Sequence, residues 1–190
     1  GRLGFNAKLL LEMGEELGSP GLREICRRER AALAADVLIA SDGPRVAPDI
    51  PTLTTGTRGT FHFDLVLDLR PGGVHSGNWG GMIVDPAIVL SHALGAICDR
   101  NGKILVRDWL PSNGMPAAVR GALAGLELPS EESATIDPNW GEPGFSAAEK
   151  VFGWTSFIVL AMVSGRPENP VNAVAPSARA HCQIRYTIDS

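Results

Sequence analysis

The sequence predicts an α/β chain in two parts. A βαβ unit of a mostly parallel sheet comes first. An α+β region follows, with an antiparallel sheet covered by helix on one face. Three observations predict this order. An apolar run, a helical stripe and a second apolar run succeed one another before residue 41. Two prolines and a Thr/Gly-rich stretch then break the pattern near Ala47-Pro48-Asp49-Ile50-Pro51. Beyond that break, apolar and polar residues alternate with period two in two long segments.

Phe5 to Met13 reads as a strand, because Leu9, Leu10 and Leu11 form a continuous apolar run suited to cover on both faces. Gly14 to Gly18 reads as a loop. Ser19 is placed to cap a helix and Pro20 to occupy its first turn. Leu22, Ile25, Cys26, Ala32 and Leu33 then recur at helical spacing. Val37 to Ala40 is a second apolar strand, closed by Ser41-Asp42-Gly43-Pro44. Strand, helix and strand in this order build a parallel sheet, and ligands of such sheets lie beyond the carboxyl ends of the strands. Glu15-Glu16 and Asp42 are expected at those ends.

The domain boundary is expected at residue 49, giving parts 1–49 and 50–190. In the second part Phe61, Phe63, Leu65, Leu67 and Leu69 alternate with Thr60, His62, Asp64 and Asp68. Asp85 and Pro86 open a helix whose stripe is Leu90, Ala93, Leu94 and Ile97, and Asn101-Gly102 supplies turn chemistry after it. Residues 110–150 read as an irregular excursion with a short helix near Ala117 to Leu126. Phe157 to Val163, the longest apolar run, suits a buried strand. In the last strand Ala178, Ala180, Cys182, Ile184, Tyr186 and Ile188 face one way and Arg179, His181, Gln183, Arg185 and Thr187 the other.

Composition excludes several classes. The 190 residues carry a formal charge of −4, 44% hydrophobic and 20% charged residues. A nucleic-acid binder would show a basic patch, and a membrane helix needs roughly 18 apolar residues. No signal-peptide pattern is expected at the start. The three cysteines Cys26, Cys98 and Cys182 lie far apart among apolar neighbours, so core thiols in a reducing, cytoplasmic setting are expected. No Gly-x-Ser-x-Gly elbow and no Gly-x-Gly-x-x-Gly turn occurs, which argues against a serine hydrolase and a dinucleotide-binding domain.

Three clusters could carry chemistry. Adjacent Glu15 and Glu16 repel unless a cation or proton lies between them. They read either as a solvated loop or, with Asp42, as oxygen ligands of a divalent metal. One carboxylate would then stay free as a general base. His75, in Gly72-Gly73-Val74-His75-Ser76-Gly77-Asn78-Trp79-Gly80-Gly81, reads either as a presented side chain or as a loop histidine bonding its own turn. Arg185, on a polar strand face beyond Asn169-Pro170-Val171-Asn172-Ala173-Val174-Ala175-Pro176, reads either as a paired surface residue or as a two-pronged clamp for a carboxylate. His62, His92 and His181 have no partner at metal-ligand spacing and read as structural or exposed.

In order, these fragments resemble one family. Glu12-Met13-Gly14-Glu15-Glu16-Leu17-Gly18-Ser19-Pro20 is similar to its acidic-pair signature, and Ser41-Asp42 to its next metal-ligand strand. Arg58-Gly59, His75-Ser76-Gly77, Gly80-Gly81 and Asp85-Pro86 resemble its lid-domain signature, and Asn172 to Pro176 with Arg185 its substrate-side motif. The family is that of the zinc-dependent carnosine dipeptidases, aminoacylases, acetylornithine deacetylase and bacterial glutamate carboxypeptidase. The resemblance covers nearly the whole chain, least so residues 110–150.

The resemblance implies a two-zinc hydrolase of amide or peptide bonds acting on a small peptide or N-acyl amino acid. Glu15 would be the general base, and Glu16 and Asp42 would each bind one zinc. His75 would reach across a homodimer interface to stabilise the oxyanion. Asn172 and Arg185 would contact substrate, Arg185 at its carboxylate. The family's other ligands belong upstream of Gly1 and downstream of Ser190, so two of five are offered here. Its lid continues past the third strand. The chain by itself is therefore expected to be an inactive fragment. The alternative from another class is a non-catalytic homodimerisation or lid module, which predicts no zinc.

Overall fold

The computed structural model describes residues 4–40, 49–128 and 135–188. The chain divides into two compact units, Gly1–Pro44 and Arg45–Ser190.

In the first unit a 3₁₀ turn over Glu15–Leu17 leads to α1 (Leu22–Arg28) and α2 (Arg30–Leu33). Lys8 Nζ ties the segment before the turn to the end of α2, donating to the Ala34 carbonyl at 2.6 Å. The α/β class and its antiparallel sheet stand, but the two apolar runs expected as parallel strands, Phe5–Met13 and Val37–Ala40, carry no strand. A strand exists only through a neighbour's backbone groups. Leu9 is 82% exposed and Ile39 81%, so neither run has the cover on both faces that a parallel strand needs. Ser19 does not cap a helix either. It adopts φ +50, and α1 begins after Gly21 without a side-chain cap. Cys26, expected in a core, is exposed on α1.

The second unit is built on an antiparallel sheet of order β1-β5-β3, with β1 over Gly59–Asp68, β3 over Ser156–Ser164 and β5 over Ser177–Tyr186. The register runs from Gly59 opposite Tyr186 to Asp68 opposite Ser177. On the other side Ser156 lies opposite Arg185, and a bulge at Leu160 shifts the ladder between Val159 and Ala161. Gly59 is dictated by this register, because a Cβ there would overlap the Tyr186 ring.

Helix α4 (Pro86–Ile97) covers one face. Asp85 caps it, its carboxylate accepting from Ala87 N at 2.9 Å and Ile88 N at 3.4 Å. The core joins Leu90 of α4 to Ala178, Ala180 and Cys182 of β5, all at most 2% exposed. Phe63, Leu65, Leu67, Leu94 and Phe157 pack around them. The expected alternation of β5 thus holds as far as Ile184. Tyr186 is half-exposed, and Ile188 lies beyond the strand.

Phe157 to Val163 does form a strand, but not a buried one. As β3 it is an edge strand, and Ile158, Val159, Leu160, Met162 and Val163 are each about two-fifths exposed or more. Apolar content is blind to whether a strand ends up central or at an edge.

Two small elements complete the site's scaffold. β2 (Val74–His75) pairs antiparallel with β4 (Ala173–Val174), and α3 (Ser76–Trp79) follows β2 directly. Within the glycine-rich stretch expected as a loop, Val74 to Trp79 is a strand running into a helical turn, and the glycines on either side stay in bends and turns. Arg70 clamps this pair against the start of α4, donating to Ala175 O at 2.5 Å and Val84 O at 2.6 Å. Within residues 110–150 the described part holds α5 (Ala117–Leu123) and α6 (Ala147–Phe152), the latter closed by a reciprocal Ser146–Glu149 capping box.

Leu90 fills the contact between α4 and β5 with no exposed area. Leu90→Ala is expected to lower the unfolding free energy of the second unit by about 2–5 kcal/mol, measured by urea denaturation. A loss under half a kilocalorie would show that α4 does not rest on this side chain.

Candidate active site

His75 and Asn172 are brought together by the β2–β4 pair. His75 lies opposite Ala173, and Ser76 N donates to the Asn172 carbonyl at 3.0 Å. The His75 ring bonds its own turn, Nδ1 accepting from Gly77 N at 3.1 Å. Gly77 is required here, since a Cβ would stand 2.9 Å from His75 Cε1. An imidazole whose Nδ1 accepts carries its proton, when neutral, on Nε2. The side chain is exposed, so that N–H is available to another molecule.

Arg185 stands near the end of β5 on the face opposite α4, with Thr60 and Ser156 as its cross-strand neighbours. A polar ladder leads away from it. Arg185 Nε donates to Gln183 Oε1 at 3.4 Å, and Gln183 Nε2 meets His62 Nε2 at 2.8 Å. The guanidinium can only donate, so the Gln183 oxygen must face it and the amide nitrogen must face His62. His62 Nε2 is therefore an acceptor. The His62 ring stacks on that of His181, centroids 5.9 Å apart. His181 Nδ1 lies 2.6 Å from Asp64 Oδ1, and Arg179 bonds the other oxygen of Asp64. These bonds, from Arg179 first and His181 second, hold the Asp64 carboxyl at about 2 instead of its ordinary 3.8.

Arg58, just before β1, is half-buried and donates through Nη1 to Trp154 O at 3.1 Å and Ser156 Oγ at 3.0 Å. Burial, and then the like charge of Arg185, push its pKa down. On the α4 side, strand alternation places a separate hollow of about 350 Å³ lined by Phe61, Asp108, Trp109, Ile184 and Tyr186.

Glu15 and Glu16 sit exposed in the 3₁₀ turn of the first unit, whose N-terminal Gly14 N donates to Glu12 Oε1 at 2.6 Å. Asp42 lies outside the described residues. Among the described residues no group of three His, Cys, Asp or Glu could hold a metal. Zinc takes three or four protein ligands, so the glutamate pair fits a metal only in company with Asp42 and further donors.

The sequence reading missed His62, Asp64, His181 and Gln183 as a group connected to Arg185, and gave Arg58 no role of its own. A signal existed. His62 and Asp64 share parity on one alternating segment, and His181, Gln183 and Arg185 on the other. Only the pairing of those two segments makes the signal legible.

No family model matches the chain. It is 30% identical over 181 residues to a cysteinylglycine-S-conjugate dipeptidase of Corynebacterium striatum, covering 94% of the chain and 39% of that relative. The chain is thus similar to dipeptidases over nearly its whole length. A Beta-Ala-His dipeptidase of Rattus norvegicus is 37% identical over 106 residues, 55% of the chain and 22% of the relative. A Cys-Gly metallodipeptidase of Saccharomyces cerevisiae is 33% identical over 94 residues, 48% of the chain and 20% of the relative. Among solved structures, human carnosine dipeptidase 1 superposes with a TM-score of 0.67 at 23% identity, covering 91% of the chain and 38% of that structure. An M20 family metallo-carboxypeptidase from Sulfolobus solfataricus gives 0.65 at 20% identity, covering 91% and 46%. The chain thus shares the fold of these metallopeptidases and spans about two-fifths of the length of the Corynebacterium relative.

Two measurements test the ladder. Asp64 titrates lower folded than unfolded, so its contribution to stability is present above pH 3.8 and is lost as pH falls toward about 2. Carboxyl carbon shifts are expected to show an Asp64 midpoint near 2, and Asp64→Asn is expected to flatten the stability loss over that interval. A midpoint at the ordinary value would mean the pairing with Arg179 and His181 does not form in solution. For His62, nitrogen shifts in alkaline solution should show the proton on Nδ1, and a proton on Nε2 would overturn the assigned Gln183 orientation.

Proposed function

We propose that the chain forms part of a two-zinc hydrolase that cleaves the amide bond of a small peptide or N-acyl amino acid. Residues 1–49 would serve as part of its catalytic domain and residues 50–190 as its lid and dimerisation domain. The observation that carries the reading is the His75 turn: Nδ1 occupied by Gly77, Nε2–H free, Asn172 alongside. Sequence similarity to dipeptidases supports it independently.

Glu16 and Asp42 would each contribute one ligand to a zinc. When bound, zinc polarises a scissile carbonyl and brings the pKa of water toward 7. Glu15, left free of metal, takes the proton of the attacking water and returns it to the leaving amine nitrogen. His75 Nε2–H donates to the oxyanion that develops on the carbonyl, acting across a homodimer interface in the partner's site. Arg185 holds the substrate carboxylate with parallel N–H donors, and the Asn172 amide orients the peptide. The exposed apolar edge strand β3 suits pairing with a second copy. Free thiols at Cys26, Cys98 and Cys182 suit a cytoplasmic setting.

The same edge strand favours a second reading, a homodimerisation module without catalysis. The two readings part on metal.

In a complete enzyme carrying this chain, elemental analysis is expected to find two zincs per subunit. No zinc would leave the dimerisation module as the answer. Glu15→Ala should cut turnover about 10²–10⁴-fold with metal content unchanged. Undiminished turnover would remove Glu15 from the role of base. A mixed dimer of His75→Ala and Glu15→Ala subunits should regain part of the activity, and no rescue would show that His75 does not work across the interface.

A further inference from the structure

The end of the sheet where β1 begins and β5 finishes carries two guanidinium groups. Arg58 directly precedes Gly59, which pairs with Tyr186, and Arg185 is one residue earlier on the same strand. Arg58 reaches across to β3, where it bonds Ser156 Oγ at 3.0 Å, and Ser156 is itself the cross-strand partner of Arg185. Both side chains therefore converge on one rung. They are close enough for the charge of Arg185 to act on Arg58.

Among the described residues the partners of both are neutral. Arg58 engages a carbonyl and a hydroxyl through Nη1, and Arg185 engages an amide oxygen through Nε. Among the described residues no carboxylate pairs with either. The other guanidinium in contact on this face, Arg179, has Asp64. Two like charges on one rung, one of them half-buried, cost stability unless an anion lies between them. Among the described residues, no hydrogen bond uses Nε or Nη2 of Arg58 or the two terminal nitrogens of Arg185, and each of these can donate. Two planar forks with free N–H groups match the two oxygens of one carboxylate.

We propose that Arg58 is a substrate-positioning residue, forming with Arg185 a two-guanidinium clamp for the carboxylate of the substrate. Ser156 and the Trp154 carbonyl fix Arg58 from below, and Gln183, backed by His62, fixes Arg185. The clamp selects ligands ending in a free carboxylate over their amides. Its assignment to substrate rests on the hydrolase reading, while anion binding itself needs neither metal nor turnover.

The test uses the 190-residue chain. N-acetylglycine and N-acetylglycinamide are titrated separately while the arginine Nε–H signals are followed by NMR. The carboxylate should move the Arg58 and Arg185 signals along one saturating curve, and the amide should move neither. Arg58→Gln should weaken the response of Arg185 about tenfold, the loss expected for one charge-assisted pair. Unmoved signals, or an Arg185 response unchanged by Arg58→Gln, overturn the clamp. Amide dispersion of β1 and β5 reports whether that variant folds. Should it unfold, Arg58→Lys decides: a point charge cannot offer two parallel bonds, so weaker carboxylate binding supports the clamp and undiminished binding overturns it. In a complete enzyme, Arg58→Lys should raise KM for a dipeptide with a free carboxylate more than for its C-terminal amide. Equal effects on both would overturn the assignment to substrate. Failure to find zinc or turnover would count against the hydrolase reading alone, because the NMR response depends on neither.

Discussion

The second unit depends on how closely α4 can approach the central strand β5. Ala178, Ala180 and Cys182 are small, so Leu90 can reach the strand and be sealed from water. Larger side chains at those positions would lift the helix off the sheet, since a packed interior has no spare volume to absorb them. Phe63, Leu65 and Leu67 on β1 and Phe157 on β3 close the flanks. β5 is the only one of the three strands with a neighbour on each side, so both ladders hang on its register.

That one constraint also sets the chemistry. Once alternate residues of β5 face α4, the others must face the open side, and these are Arg179, His181, Gln183 and Arg185. Pairing with β1 then brings His62 and Asp64 beneath them. The result is a graded face. At one end Asp64 is saturated by Arg179 and His181. At the other, two arginines have only neutral partners among the described residues. A surface balanced at one end and positive at the other offers its positive end to the anion proposed above.

His75 is governed by a smaller device. Two rungs of β2–β4, a glycine that leaves room for the ring and one backbone N–H decide which nitrogen faces outward. A histidine bonding its own turn and a histidine presented to a ligand look like rival readings in the sequence. The two are compatible in the structure, because a bond to Nδ1 leaves Nε2–H on the exposed side of the ring. The glutamate pair contrasts with this. Glu15 and Glu16 sit exposed in a short turn of the first unit, and a metal held there would need ligands beyond the described residues.

The sequence by itself determined what depends on local order along the chain. Period-two alternation marked β1 and β5 and their inward faces, Asp85-Pro86 marked the start of α4, and short motifs in order carried the family resemblance. It could not determine what depends on neighbours distant in the chain. The apolar runs at Leu9–Leu11 and Val37–Ala40 look like strands, yet a strand is made by its partner. Phe157–Val163 looks buried, yet its place at a sheet edge leaves it half-open. Arg58 and Arg185 are 127 residues apart, 185 less 58, and only the β1–β5 and β3–β5 registers set them on one rung. Hydrogen bonds between strands are long-range and exact in register, so side-chain constellations across a sheet are decided by the tertiary structure alone.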